Sequence, residues 1–153
     1  MTARDAALAD LEARVGDRFE PSRWIEVDQT MIDRFGEVTQ DEQFIHMDPD
    51  RAAQTPLGGT VAHGFLTLSL ASRFDYDCFE DPPGQTMSIN YGFDRLRFLS
   101  PVRPGQRVRG HFTLTRAVPR GDDGLMRTVA LEIEIDGVDK PALVADWHAL
   151  ILF

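Results

Sequence analysis

The sequence predicts an α+β domain in which an antiparallel sheet wraps around one long, buried, apolar helix. Three observations carry this expectation. From Met87 onward the chain alternates apolar and polar residues in four runs separated by Gly, Pro and Asp turns, the two-residue period of strands. Before Met87 the apolar spacing is mostly helical. The stretch from His63 to Tyr76 is apolar nearly all round (Phe65, Leu66, Leu68, Leu70, Ala71, Phe74), a pattern typical of a helix buried on most sides. Helices gathered in the first half and strands in the second favour helices packed on one face of an antiparallel sheet.

Taken in order, Ala6, Leu8, Ala9, Leu11 and Val15 predict a short amphipathic helix ending near Gly16. Trp24, Ile25 and Val27 predict a short strand. Asp28 is a suitable N-cap for a helix reaching about Val38, with Met31, Ile32, Phe35 and Val38 facing inward. Asp48-Pro49 reads as an N-cap followed by a proline in the first turn, so Pro49 to Gln54 predicts another short helix. This leaves Asp41 to His46 as a connecting segment, held by Phe44 and Ile45, with its polar residues free to face a cleft. Pro56-Leu57-Gly58-Gly59 is a turn cluster, and the apolar helix follows. The four long strands then form a meander: Met87 to Leu99, Val108 to Val118, Leu125 to Ile135 and Leu143 to Phe153. Gly121-Asp122-Asp123-Gly124 makes a hairpin turn between the second and third. At 153 residues, without repeat or linker, residues 1–153 are expected to form one domain.

Composition narrows the function. A formal net charge of −9 argues against a nucleic-acid partner. No apolar run approaches the roughly 20 residues of a membrane helix, and the charged, alanine-rich N-terminus lacks the apolar core of a signal peptide. The single cysteine, Cys78, fits a reducing cytoplasm. Charge is unevenly spread: residues 94–120 hold seven arginines against one acid, Asp94. That basic hairpin reads either as a solvated face or as a receiver for an anionic, phosphorylated ligand.

Few residues can carry chemistry. Asp41 and His46 put a carboxylate and an imidazole five residues apart, close enough to orient and deprotonate one water. The same spacing also suits a turn-capping Asp and a His that satisfies a buried backbone group. Gly64 opens the apolar helix, where free N–H groups and the helix dipole can stabilise an oxygen gaining negative charge. It can equally serve tight packing. Ser72 is a hydroxyl on an apolar helix, in need of a partner. No nucleophile elbow, phosphate-binding glycine loop or metal-ligand triad stands at recognised spacing. His46, His63, His111 and His148 are too scattered to argue for zinc, so no metal or cofactor is expected.

Asp41-Glu42-Gln43-Phe44-Ile45-His46-Met47-Asp48, then Arg51-Ala52-Ala53, and Thr60-Val61-Ala62-His63-Gly64-Phe65-Leu66-Thr67-Leu68-Ser69-Leu70 together resemble the MaoC-like dehydratase family, above all its single-domain NodN-like branch. Ile89 to Phe98 and Pro101-Val102-Arg103-Pro104-Gly105 extend the resemblance over roughly residues 20–150. It implies the hotdog fold, a homodimer joined sheet edge to sheet edge, and hydration of trans-2-enoyl-CoA to (R)-3-hydroxyacyl-CoA. It implies that Asp41 and His46 share the attacking water and that the Gly64 N–H polarises the thioester carbonyl. Ser72 falls where some members carry a supporting serine. Arg95, Arg97 and Arg103 of the basic hairpin are then candidate contacts for the CoA phosphates. One departure is local: many members have Asn-Pro between the catalytic pair, where this chain has Gln43-Phe44. The competing expectations are a hotdog acyl-CoA thioesterase, a non-catalytic acyl-CoA binding module and a structural subunit.

Overall fold

The computed structural model describes residues 1–153. Helix α1 (Ala3–Ala13) starts at a capping box: Thr2 accepts from the Asp5 N–H, and the Asp5 carboxylate accepts from the Thr2 N–H. Strand β1 (Ile25–Val27) leads into helix α2 (Gln29–Thr39), capped by the Asp28 carboxylate at 2.8 Å from the Met31 nitrogen. Ile32 is fully buried on its inner face. Val38, expected inward, is 78% exposed. The face turned to the core here is that of Gly36, where a Cβ would stand 2.6 Å from the Met47 sulfur and 3.0 Å from the Asp41 carbonyl oxygen. Glycine lets the next segment lie directly against the helix.

That segment is more regular than expected. Phe44–Met47 forms a single helical turn, α3, followed by α4 (Pro49–Ala53), capped by Asp48 as its sequence predicts. Helix α5 (Gly64–Cys78) crosses the sheet. Strands β2 (Met87–Phe98), β3 (Gln106–Arg120), β4 (Gly124–Ile135) and β5 (Leu143–Leu152) join β1 in one antiparallel sheet of order β1-β3-β4-β5-β2. The meander expectation therefore fails at one point. β2 pairs with β5 rather than with its sequence neighbour β3, and residues 99–105 carry the chain across to the opposite half of the sheet. The curled antiparallel sheet around α5 is the hotdog arrangement.

Leu66, Ala71 and Phe74 of α5 pack against the inner faces of β3, β4 and β5, with Phe112, Leu131, Leu143 and Trp147. Where Gly110 sits in β3, a Cβ would lie 2.8 Å from the Phe74 Cβ, so helix and sheet touch backbone to side chain there. α5 is nonetheless not buried all round within one chain: Phe65 is 67% and Tyr76 76% exposed. Phe65 stands edge-on to the Phe98 ring at the end of β2, centroids 6.1 Å apart, and still presents most of its surface to solvent.

β2 also departs from its pattern. Its apolar Met87 and Ile89 pair across from Leu152 and Leu150 on the outer face and remain exposed. Ser88 and Asn90 pair with buried Ile151 and Ala149, so they face α5. A bulge between Asn90 and Gly92 shifts the register, and Phe93 then points inward to stack on Trp147. No helix of the structure is long and apolar enough to cross a membrane.

Candidate active site

Three of the residues singled out in the sequence, Asp41, His46 and Gly64, lie at or beside the N-terminus of α5. His46, on α3, is buried, and its Nδ1 lies 2.7 Å from the Val61 carbonyl oxygen. A carbonyl can only accept, so Nδ1 carries the proton and the neutral ring keeps its Nε2 lone pair free. Burial lowers the His46 pKa below its ordinary 6.5, against the opposing pull of the Val61 bond, and His63 lowers it further. The alternative of a His that satisfies a backbone group is thus true of one nitrogen and leaves the other available. Gln29 steadies this segment: its amide donates to the His46 carbonyl at 2.7 Å and accepts from the Thr60 hydroxyl at 2.6 Å.

His63, the N-cap residue of α5, is almost fully buried, and its Nε2 donates to the Asp41 carbonyl oxygen at 2.8 Å. Its ring stacks on that of His46, centroids 3.8 Å apart and planes 25° apart, and lies 5.0 Å from the Phe35 ring. This tie fixes the backbone of Asp41, whose side chain stays exposed to the cleft. Sequence reading had no signal for His63 beyond its place before Gly64. Its value lies in a contact between segments 22 residues apart.

A ligand atom from each of Asp41, His46 and His63 lies within 4.8 Å of the others, so two histidines that look scattered in sequence converge. One nitrogen of each ring is bonded to a carbonyl oxygen, which leaves the second nitrogen of each with its lone pair. Asp41 and His46 are close enough to share one water.

Gly64, next to His63, is the first residue of α5, whose leading N–H groups have no helical acceptor. A Cβ there would come within 2.9 Å of the Phe98 ring. Gly64, Thr67, Phe98, Ser100 and Val102 border a cavity of about 270 Å³. The absence of a side chain at residue 64 keeps this side of the helix N-terminus open.

The remaining candidates lie elsewhere. Ser72 is eight residues along α5, about 12 Å from Gly64 at 1.5 Å per residue, and its hydroxyl accepts from the Asn90 amide at 3.3 Å. Within one chain it is not brought to Asp41 or His46. Arg95 pairs with Asp146 at 2.6 Å, and Arg97 lies across from Val144, so both arginines belong to the face of the sheet opposite α5. Arg103 is placed differently: its guanidinium comes within 3.8 Å of the Cβ position of Gly59, on the turn that leads into α5. Part of the basic character of residues 94–120 is offset in space: with Arg95 on Asp146, Arg107 pairs with Asp136 and Arg109 with Glu134.

Comparison with known proteins agrees with this architecture. Residues 10–134 match the family model described as the MaoC like domain. The chain is 48% identical to "Nodulation protein N" of Rhizobium leguminosarum bv. viciae over 150 residues, covering 97% of this chain and 93% of the relative. It is 39% identical to "3-hydroxyacyl-thioester dehydratase Z" of Mycobacterium tuberculosis over 140 residues, covering 92% of each. Among solved structures, the (R)-hydratase from A. caviae involved in PHA biosynthesis superposes with a TM-score of 0.70 at 25% identity, over 88% of this chain and 94% of that one. A protein of Archaeoglobus, at 23% identity and TM-score 0.77 over 90% of each chain, shares the fold. The family model spans residues 10–134 and the relatives cover nearly the whole chain, and the chain belongs to the MaoC-like dehydratase family.

Proposed function

We propose that this hydro-lyase adds water to a trans-2-enoyl-CoA to give the (R)-3-hydroxyacyl-CoA, and catalyses the reverse dehydration. The observation that carries the reading is the convergence of Asp41, the free Nε2 of His46 and the N-terminus of α5. The thioester carbonyl would sit at the Gly64 N–H, in the cavity beside Phe98. Asp41 and His46 would hold one water at C3. As the C3–O bond forms, the water's proton passes to the His46 lone pair, and electron density moves through C2 to the thioester oxygen, where the α5 dipole stabilises it. C2 then takes a proton from the protonated pair, which restores the site and makes the addition syn.

Other assignments follow from position. Arg103 is the best placed of the three arginines to meet a CoA phosphate, while Arg95 and Arg97 would reach one only around the sheet edge. Ser72 would act further along the acyl chain rather than at the reacting carbons. A second copy of the chain would cover the open edge of β2 and the exposed Phe65 and Tyr76. A reducing cytoplasm suits the lone cysteine, Cys78, whose thiol burial pushes up to about 11.

The test is loss of the conjugated enoyl-CoA absorbance, with chiral analysis of the product, for the native protein and Asp41→Asn. Hydration to the (R)-alcohol that falls by orders of magnitude in the variant supports the reading. Release of free thiol without loss of the double bond would show a thioesterase instead.

A further inference from the structure

Two backbone donors at the start of α5 go unanswered. The N-cap, His63, makes no side-chain cap bond, and the N–H groups of Leu66 and Thr67 both turn to the His63 carbonyl oxygen, at 3.1 and 3.2 Å. Those of Gly64 and Phe65 meet no acceptor in the chain. Many helices begin this way, so the feature carries nothing alone. The hydroxyl of Thr67 adds to it.

Thr67 is 3% exposed. The usual answer for a hydroxyl on a helix is a bond to a carbonyl three or four residues back. Thr39 makes that bond to Phe35 at 2.6 Å, and Ser69 makes it to Leu66 at 2.8 Å. The Thr67 hydroxyl bonds to no group of the chain, yet it is not sealed off. The unpartnered polar side-chain atoms that have lost nearly all accessible surface are His63 Nδ1, Arg127 Nε and Trp147 Nε1, and Thr67 Oγ1 is not among them. The surface that Thr67 keeps opens on the cavity of about 270 Å³ that Gly64 and Phe98 also border.

Local geometry aims this hydroxyl at the helix start. Side chains on an α-helix tilt toward its N-terminus, and Thr67 follows Gly64 by three residues, on the same side of the helix. Gly64 itself puts no side chain between them. The cavity lining holds no charge, and its one other polar side chain, Ser100, is only half-buried and can turn to water. Donors without acceptors beside an uncharged cavity suit a neutral oxygen that gains negative charge during reaction.

We infer that the Thr67 hydroxyl is a further catalytic group: it donates to the thioester carbonyl oxygen beside the Gly64 N–H, and this bond strengthens as the oxygen takes on enolate charge. The inference rests on the proposed placement of the thioester at Gly64. A bond that is stronger in the transition state than in the bound substrate acts on kcat more than on KM.

Thr67→Val and Thr67→Ser test it. Valine keeps the shape and removes the hydroxyl. A hydroxyl without a protein partner is lost at little cost, so the melting temperature should hold or rise. Enoyl-CoA hydration by Thr67→Val should fall at least about tenfold in kcat with KM within about twofold, and Thr67→Ser should recover most of the rate. A second readout needs no turnover. The infrared carbonyl band of a saturated acyl-CoA, labelled with carbon-13 at its thioester carbon, should move to lower frequency on binding the native protein. The shift should be smaller on Thr67→Val and restored on Thr67→Ser. An undiminished band shift or an undiminished kcat in Thr67→Val overturns the inference. So does a loss in Thr67→Ser equal to that in Thr67→Val, or an acyl-CoA whose band the native protein leaves unmoved. If the native protein hydrates no enoyl-CoA while the band still depends on the Thr67 hydroxyl, the hydrogen bond stands and the hydratase falls. If it hydrates and Thr67→Val does so equally well, the reverse holds.

Discussion

Gly64→Ala separates the chemistry of the α5 N-terminus from its packing. The added methyl would stand 2.9, 3.0 and 3.2 Å from three atoms of the Phe98 ring. Carbon contacts settle near 3.5–4.0 Å, so the ring must retreat by about 0.5–1 Å. It can do so, because Phe98 lies at the end of an edge strand and is 49% exposed. Replacing glycine by alanine at a position whose backbone suits it also narrows the freedom of the unfolded chain, by about 0.4–1 kcal/mol, which offsets the displacement. The melting temperature should therefore stay within about 2 °C of the native value. Turnover should not survive so well. The methyl and the displaced ring occupy the space into which the thioester must enter, and a misplacement of about 1 Å at a reacting group costs on the order of a hundredfold. Gly110→Ala is the control: its methyl would meet the Phe74 Cβ at 2.8 Å, in a residue that is fully buried. A Cβ cannot swing aside, so α5 must lift off the sheet, at about 1–3 kcal/mol, or a fall of roughly 2–12 °C. Differential scanning calorimetry and enoyl-CoA hydration kinetics read both. If Gly64→Ala keeps more than a tenth of kcat/KM, or melts as early as Gly110→Ala, the assignment of that position to the thioester is wrong.

Further outcomes follow from the same geometry. Burial lowers the His46 pKa from 6.5, so as pH drops below that value the unfolded chain binds a proton that the folded chain still refuses. This group's contribution to stability is complete above about pH 6.5 and declines on acidification toward the lower folded value. The acid limb of kcat/KM should have its midpoint below 6.5, and a limb centred above it would contradict a neutral, buried base. Arg103→Ala should raise KM severalfold for a CoA thioester with little change in kcat; an equal loss in both would place Arg103 in the chemistry instead. Ile89→Lys puts a charge on the exposed edge strand, and analytical ultracentrifugation should show dimers of the native chain reduced to monomers.

Much of this was legible in the sequence, for local reasons. Asp28 and Asp48-Pro49 mark helix starts because an N-cap is a contact over three residues. The alternation in β5 and in the second half of β4 marks which residues are buried. What escaped is long-range. β2 alternates as cleanly as its neighbours, yet alternation does not say which face is inside, and the bulge between Asn90 and Gly92 reverses the answer midway. Its pairing with β5 instead of β3 is equally silent in a local pattern. In the site, Asp41-x4-His46 was a weak spacing that the family resemblance strengthened. The His63 bond to the Asp41 carbonyl, the stacked imidazoles and the tautomer of His46 depend on chain segments that only folding brings together. The pairing of Arg95, Arg107 and Arg109 with Asp146, Asp136 and Glu134 likewise joins the basic hairpin to acids on strands read separately.

β2 is an edge of the sheet, and one side of its backbone is open to pairing along a strand of twelve residues. Asp41, His46 and Gly64 are carried by other elements. A duplicated gene could therefore drift in the few side chains of β2 and come to prefer a sister chain over itself, without any change at the site of chemistry. One of the two copies, freed from the need to turn over substrate, could then lose its acid and base and persist as a cover for the other. The open strand thus lets the choice of partner evolve apart from the reaction.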